Sequence, residues 1–184
     1  MSDTSETRTA TDADTRFQPR RAIVTASDSG IGRATAVALA EAGMDVGITW
    51  HTDEQGALDT AEEVRSHGVR AAVARLDATD IPGCGDVVDS LADELGGLDV
   101  FVNNAGTGGA TLLLDLEYDE WDEIVKTDLS GAFVCIQRAA RRMVAGGAAL
   151  FLLGGIAMRG MPRPPTRCGC ATRGWPWSST MTRC

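Results

Sequence analysis

A glycine-containing turn between an apolar run and a helical pattern constrains this chain more than any other feature. The apolar residues Ala22-Ile23-Val24 lead into the turn Thr25–Arg33, and an alanine-rich helical pattern begins at Ala34. Because Gly30 and Gly32 carry no Cβ, the backbone of this turn can approach a bound pyrophosphate closely. Free N–H groups at the start of the helix would face its negative charge. Strand, turn and helix in this order predict a dinucleotide site in an α/β domain.

Apolar stretches and helical patterns alternate along the rest of the chain. The predicted strands are 20–25, 45–50, 69–76, 98–102 and 148–153. The predicted helices are 31–43, 53–67, 82–95 and 117–144, the last with a possible break near Asp119. Such alternation requires right-handed crossovers and therefore a parallel sheet. The predicted fold class is α/β, a doubly wound parallel sheet (Rossmann fold) that is truncated after about strand five.

The composition narrows the classes of partner. The 184 residues contain 26 Asp and Glu against 17 Lys and Arg, a formal net charge of −9. An acidic chain of this kind is not expected to bind nucleic acid or an anionic membrane surface. No apolar run reaches the length of a membrane-spanning helix, and the first residues contain no apolar signal-peptide core. These features favour a cytoplasmic protein whose five cysteines are reduced.

The charge is distributed unevenly, and this divides the chain into three predicted regions. Residues 151–184 contain five arginines and no acidic residue, whereas residues 1–150 contain every Asp and Glu. Residues 1–18 are polar and predict a disordered leader. Residues 19–153 form the predicted dinucleotide-binding domain. Residues 154–184 are an aberrant tail, rich in Arg, Pro and Cys, for which we expect irregular structure.

The tail offers three interpretations. Cys168 and Cys170 are separated by one residue and have no histidine nearby, which is poor spacing for a metal site, so no metal is predicted. Arginine and proline are typical of a binding arm, but such arms normally contain lysine as well. We favour a hypothesis in which a GC-rich gene has been read out of frame beyond about residue 154. Translation of the other two frames of the DNA tests this hypothesis.

A second motif, Asn103-Asn104-Ala105-Gly106, follows the fourth predicted strand. Taken alone, the two asparagines fit ordinary turn chemistry after a strand. Paired with the first turn, the motif resembles the short-chain dehydrogenase/reductase family, in which Thr-Gly-x-x-x-Gly-x-Gly precedes Asn-Asn-Ala-Gly. Leu76-Asp77 and the segment 128–133 match as well, so the resemblance covers residues 20–153. Ala26 replaces the first glycine of the pattern. This replacement, together with the segment 48–51, resembles the part of the family that contains acetoin- or diacetyl-type reductases.

The resemblance implies a nicotinamide dinucleotide as cofactor. The cofactor-binding residues it implies are Thr25, Ser27, Ser29, Gly30, Ile31, Gly32, Arg33, His51, Asp77, Asn103, Ala105 and Gly106. The glycine turn would line the pyrophosphate, and Asp77 would accept a hydrogen bond from the adenine amino group. An acid at the end of the second strand would repel the 2′-phosphate of NADP, but the first acid here is Asp53, beyond the strand end. Arg33 lies just past the glycines and could pair with that phosphate, so NADP is favoured over NAD. His51 fits a surface residue better than a ligand.

The resemblance also implies hydride transfer between the cofactor and a small carbonyl/alcohol pair, with a serine, a Tyr-x-x-x-Lys pair and an asparagine relay. In this chain the relay position is Asp128, and the serine position falls on glycine at 154–155. Tyr118 is the only tyrosine and Lys126 the only lysine, so the pair cannot form. We therefore expect an oxidoreductase by lineage whose present chain is catalytically incompetent. The alternatives are a non-catalytic dinucleotide-binding or partner-binding protein, or a non-functional fragment. Intact relatives are expected to be homo-oligomers.

Overall fold

A computed structural model describes residues 18–108, 111–146 and 152–154 of the chain. The elements in order are β1 Arg21–Val24, α1 Gly30–Glu41, β2 Asp45–Trp50, α2 Glu54–Ser66, β3 Ala71–Arg75, α3 Gly83–Leu95, β4 Val100–Asn103, α4 Tyr118–Val125, the π-helical turn Lys126–Gly131, α5 Ala132–Ala145 and β5 Leu152–Gly154. The expectations for residues 1–17 and 155–184 lie outside the described residues.

The five strands form one parallel sheet in the order β3-β2-β1-β4-β5. In the centre of the sheet, Ile23 of β1 lies opposite Gly47 of β2 and Phe101 of β4. The predicted α/β fold with a doubly wound parallel sheet is confirmed. Chain connections run outward in opposite directions from β1, so the loops after β1 and β4 diverge at the carboxyl edge. A sheet of this type binds ligands at such a point.

Apolar side chains cover both faces of the sheet. On one face α1 and α2 contribute small residues, among them Ala36, Ala57 and Val64. On the other face α3 and α5 pack through Val88, Leu91, Cys135, Ala139 and Met143, and Cys84 and Cys135 are buried free thiols. Strands covered on both faces read as nearly continuous apolar runs, which explains why β1 to β4 overlap the predicted ranges. Of the fifth predicted strand, residues 148–151 lie outside the described residues. Within the described residues, no helix has the length and apolar character needed to cross a membrane.

The helical stretch predicted over 117–144 contains an interruption that the sequence pattern misplaced. The expected position was near Asp119, but that residue lies inside α4, and the π-helical turn covers Lys126–Gly131. Two tertiary contacts occur at this turn. The backbone of Gly131 lies so close to Ala78 that an added Cβ would overlap Ala78 O, and the Asp128 carboxylate accepts a hydrogen bond from the Thr107 backbone. A π-helical turn changes the phase of a helix and commonly occurs at functional sites.

Candidate functional site

Four hydrogen bonds join the two sequence motifs at the carboxyl edge of the sheet. Asn104 Nδ2 donates to Thr25 O at 3.1 Å and to Ala26 O at 3.0 Å. In return, Thr25 Oγ1 accepts hydrogen bonds from Asn104 N at 2.9 Å and Ala105 N at 2.8 Å. Thr25 is fully buried and Asn104 is half-buried in this arrangement, which we call the Thr25–Asn104 clamp. The clamp fixes the turn after β1 against the loop after β4.

The glycine turn has two positions where the backbone dictates the residue type. Gly30 has φ +56°, the left-handed conformation that glycine adopts without a steric penalty. A Cβ added to Gly32 would overlap Ala26 O and lie 2.7 Å from Asn104 Nδ2, so only glycine fits there. Ala26 has φ +48° and is the one non-glycine residue with positive φ in the described part of the chain. The turn therefore holds a strained alanine.

The polar residues of this turn differ in what they offer a ligand. The buried Ser27 hydroxyl donates to Val24 O at 2.8 Å and accepts from Thr49 N at 3.2 Å, so it links β1 to β2. Ser29 and Ile31 are exposed at the start of α1, where the first helical N–H groups have no partner within the helix. A phosphate placed here would meet backbone donors and the positive end of the helix dipole.

Arg33 has a partner that the sequence pattern did not reveal. Its Nε and Nη2 donate to Glu63 Oε2 of α2 at 3.1 and 2.8 Å. Arg33 also does not line the cavity described next. The ion pair with Glu63 orients the guanidinium and partly neutralises its charge, which weakens its attraction for a ligand phosphate.

A cavity of about 390 Å³ lies beside the clamp at the carboxyl ends of β1 to β4. Four of the residues predicted to bind the cofactor line it: His51, Asp77, Ala105 and Gly106. Ala26 lines it too, whereas the other predicted residues of the glycine turn do not. Of the other predicted residues, those from Ser29 to Arg33 lie at the start of α1, whereas Thr25, Ser27 and Asn103 are buried.

The carboxylate of Asp77 is ionised and fixed in direction. Its Oδ1 accepts hydrogen bonds from Thr79 Oγ1 at 2.7 Å and Thr79 N at 2.9 Å, and these bonds lower the pKa of Asp77. Its Oδ2 lies 3.4 Å from Nε2 of His51, whose side chain is 55% exposed. An ionised acceptor at a cavity wall can receive N–H donors of a bound ring system.

Asp128, the predicted relay residue, bonds a loop of the cavity. Its Oδ1 accepts a hydrogen bond from Thr107 N at 2.6 Å, and Thr107 lines the cavity. The π-helical turn therefore holds the loop after β4 through Asp128, while its Gly131 end packs against the loop after β3. Asn103, by contrast, is the buried last residue of β4.

The sequence reasoning missed Asn104. Its neighbours Asn103, Ala105 and Gly106 were assigned to the cofactor, but Asn104 makes the two side-chain hydrogen bonds that hold the turn. The residue type gives a hint of this role, because the amide of asparagine supplies two N–H donors and the turn leaves the carbonyl groups of Thr25 and Ala26 to be paired. Within the described residues, no group of three or more His, Cys, Asp or Glu side chains is placed to hold a metal ion.

Comparisons with known proteins give a consistent result. Residues 20–158 match the family described as short chain dehydrogenase. The uncharacterized oxidoreductase YohF of Escherichia coli strain K12 is 52% identical over 126 residues, which cover 68% of this chain and 50% of the relative. This chain therefore spans about half the length of the curated relatives it matches.

Solved structures agree in fold. The crystal structure of acetoin dehydrogenase YohF from Salmonella typhimurium has a TM-score of 0.71 at 43% identity, covering 74% of this chain and 54% of that one. A short chain dehydrogenase from Burkholderia cenocepacia J2315, crystallised in complex with NADP, has a TM-score of 0.65 at 36% identity, covering 67% and 50%.

Proposed function

This chain belongs to the short-chain dehydrogenase family, and from that premise we propose that it binds a nicotinamide dinucleotide beside the Thr25–Asn104 clamp. The clamp is the observation that carries the proposal, because it holds both halves of the site in one rigid arrangement. A similar protein from Burkholderia cenocepacia was crystallised with NADP, which supports this choice of ligand.

The residues fit a dinucleotide in two places. The open N–H groups of α1 and the free space beside Gly30, where an added Cβ would meet nothing within 4 Å, suit a pyrophosphate. The cavity lined by His51, Asp77 and Ala105 suits the adenosine half, with the Asp77 carboxylate accepting the adenine amino group. When bound, the nicotinamide ring supplies or accepts a hydride.

We propose a preference for NADP over NAD. The cavity residues at the end of β2 are Thr49, Trp50 and His51, none of which is an acid that would repel a 2′-phosphate. The carboxylate of Asp53, the next acid along the chain, accepts a hydrogen bond from Gly56 N at 3.0 Å and so caps α2. Glu63→Ala removes the acceptor of both Arg33 hydrogen bonds, so it should strengthen NADPH binding more than NADH binding; equal changes for the two ligands would argue that Arg33 takes no part.

We propose further that the 184-residue chain is an oxidoreductase by family that does not turn over substrate. The small carbonyl or alcohol of the family, such as the acetoin named for the Salmonella relative, needs a tyrosine and a lysine as proton donor and activator. The sequence has neither after Lys126. The relay role of Asp128 belongs to this proposal, and its carboxylate would have to serve while bonded to Thr107.

Self-association through α4 and α5 is also part of the proposal. The helices expose large apolar side chains, with Trp121 51%, Leu129 67% and Phe133 61% exposed. A second copy covering these residues would remove apolar surface from water. Sedimentation velocity of the full chain should show a dimer or larger species, and a purely monomeric chain at high concentration would overturn this part.

A binding and turnover experiment tests the function. The full chain is titrated with NADPH by calorimetry and then assayed with diacetyl. Asp77→Ala should weaken binding about tenfold, because it removes a charged hydrogen-bond acceptor. Asp59→Ala, at an exposed position on α2, is the matched control and should bind like the parent.

The outcomes separate the alternatives. Binding without diacetyl reduction supports the proposal, whereas binding with reduction shows that the chain is an active enzyme. No binding by the folded parent leaves a partner-binding protein or a non-functional fragment, and it refutes the dinucleotide assignment.

A further inference from the structure

No hydrogen bond of the glycine turn involves the methyl group of its strained alanine. Ala26 adopts φ +48°, a conformation that glycine reaches freely and that an L-residue adopts only with a steric penalty. Glycine at this position would keep every hydrogen bond of the clamp, since Ala26 contributes only backbone atoms to it. The hydrogen bonds of the turn therefore do not account for the methyl group.

The hydrogen bonds of Ala26 fix the direction of that methyl. Ala26 N donates to Thr49 Oγ1 at 3.0 Å, and Ala26 O accepts from Asn104 Nδ2 at 3.0 Å. With both peptide groups held, the Cα–Cβ bond cannot rotate away by a local backbone change. The residue lines the 390 Å³ cavity together with His51 and Asp77.

We propose that the Ala26 methyl contributes to affinity by packing against the nucleoside of an adenine nucleotide bound in this cavity. The inference rests on the proposed dinucleotide function and adds an apolar contact to it. A methyl on a rigid turn excludes water beside the ligand and offers a contact surface that glycine lacks. Removing it should weaken binding about fourfold, the usual effect of one buried methylene-sized group.

Ala26→Gly gives a test in which stability and affinity move in opposite directions. The variant should raise the Tm of the full chain by about 3 °C through relief of the positive φ. It should also weaken the binding of AMP, measured by calorimetry, about fourfold. A residue with a purely structural role would not improve stability while it lowers affinity.

Gly43→Ala is the matched control. Gly43 has φ +85° at the end of α1, and an added Cβ would meet nothing within 4 Å. This variant should lower the Tm by about 3 °C and leave AMP affinity unchanged, because it exchanges the same two residue types away from the cavity. Equal AMP affinity of Ala26→Gly and the parent overturns the inference alone. Failure of the folded parent to bind either AMP or NADPH overturns the proposed function together with the inference, whereas binding of NADPH without AMP overturns the inference alone.

Discussion

Replacing Asn104 by Asp changes one atom type in the clamp and leaves its shape intact. Asn104 Nδ2 donates to Thr25 O at 3.1 Å and to Ala26 O at 3.0 Å. In Asn104→Asp an ionised oxygen takes the place of the amide nitrogen and faces two carbonyl oxygens. Both hydrogen bonds are lost, and two repulsive contacts replace them in a partly buried position.

The magnitude follows from these two bonds. Each hydrogen bond contributes about 1 kcal/mol net, and a carbonyl left without a partner in a buried setting costs about the same again. Asn104→Asp should therefore lower the free energy of unfolding by about 2–4 kcal/mol at pH 7. Urea denaturation of the full chain, followed by circular dichroism, measures this difference, and an unchanged m-value would show that the folded state remains compact.

Acidic pH supplies the second half of the test. Facing two carbonyl oxygens, the introduced carboxyl has a folded-state pKa above its unfolded value, because its neutral form can donate one hydrogen bond. The gap in stability between variant and parent should therefore shrink as pH falls through that raised pKa. Gln55→Glu, the same exchange at an exposed position of α2, should change stability by less than about 0.5 kcal/mol. A similarly small effect for Asn104→Asp would refute the clamp as a structural unit.

Two further predictions concern other parts of the domain. Gly131→Ala should destabilise the chain by about 2–4 kcal/mol in thermal unfolding, because its Cβ would overlap Ala78 O. Gly146→Ala, whose Cβ would have its nearest neighbour at 3.4 Å, should stay within about 1 kcal/mol of the parent; equal losses in both would contradict the close approach. Burial raises the pKa of Asp99, but hydrogen bonds from Arg21 and Arg20 and the charge of Arg21 together outweigh burial and leave that pKa lowered. Its stabilisation is therefore present above the ordinary carboxyl pKa and is lost as pH falls through the folded value, so Asp99→Asn should flatten the acid unfolding profile.

The strands and the first glycine turn were predictable because their causes are local. Apolar runs bounded by turns identify β1 to β4, and β2 was predicted over Asp45–Trp50, the range in the structure. Gly30 is predictable because the turn needs a positive φ there, and Gly32 because a Cβ would overlap the backbone of Ala26. The alternation of strands and helices along the chain is sufficient to predict the parallel sheet.

The helix interruption was misplaced because its cause is tertiary. The apolar spacing over 117–144 continues through the π-helical turn, so no pattern marks it. The close contact of Gly131 with Ala78 and the bond from Thr107 to Asp128 join segments far apart in sequence. Periodicity within one helix cannot report such contacts.

Two side chains show the same limit at the site. Arg33 stands next to the glycines in sequence, but its guanidinium bonds Glu63, thirty residues away on α2. Asn104 stood inside a recognised motif, but whether it or Asn103 faces the turn depends on where β4 ends. The sequence shows which residue types are available near the site, whereas their hydrogen-bond partners depend on how the helices pack on the sheet.

We propose above all that this chain binds a nicotinamide dinucleotide without transferring its hydride to a substrate. Calorimetric titration of the full 184-residue chain with NADPH and, separately, with NADH tests it most directly. We expect saturable binding of one dinucleotide per chain with a Kd below about 1 mM, in the range of KM values common for enzymes. We also expect no oxidation of the bound NADPH when diacetyl is added. A folded chain that binds neither dinucleotide at that concentration would contradict the account.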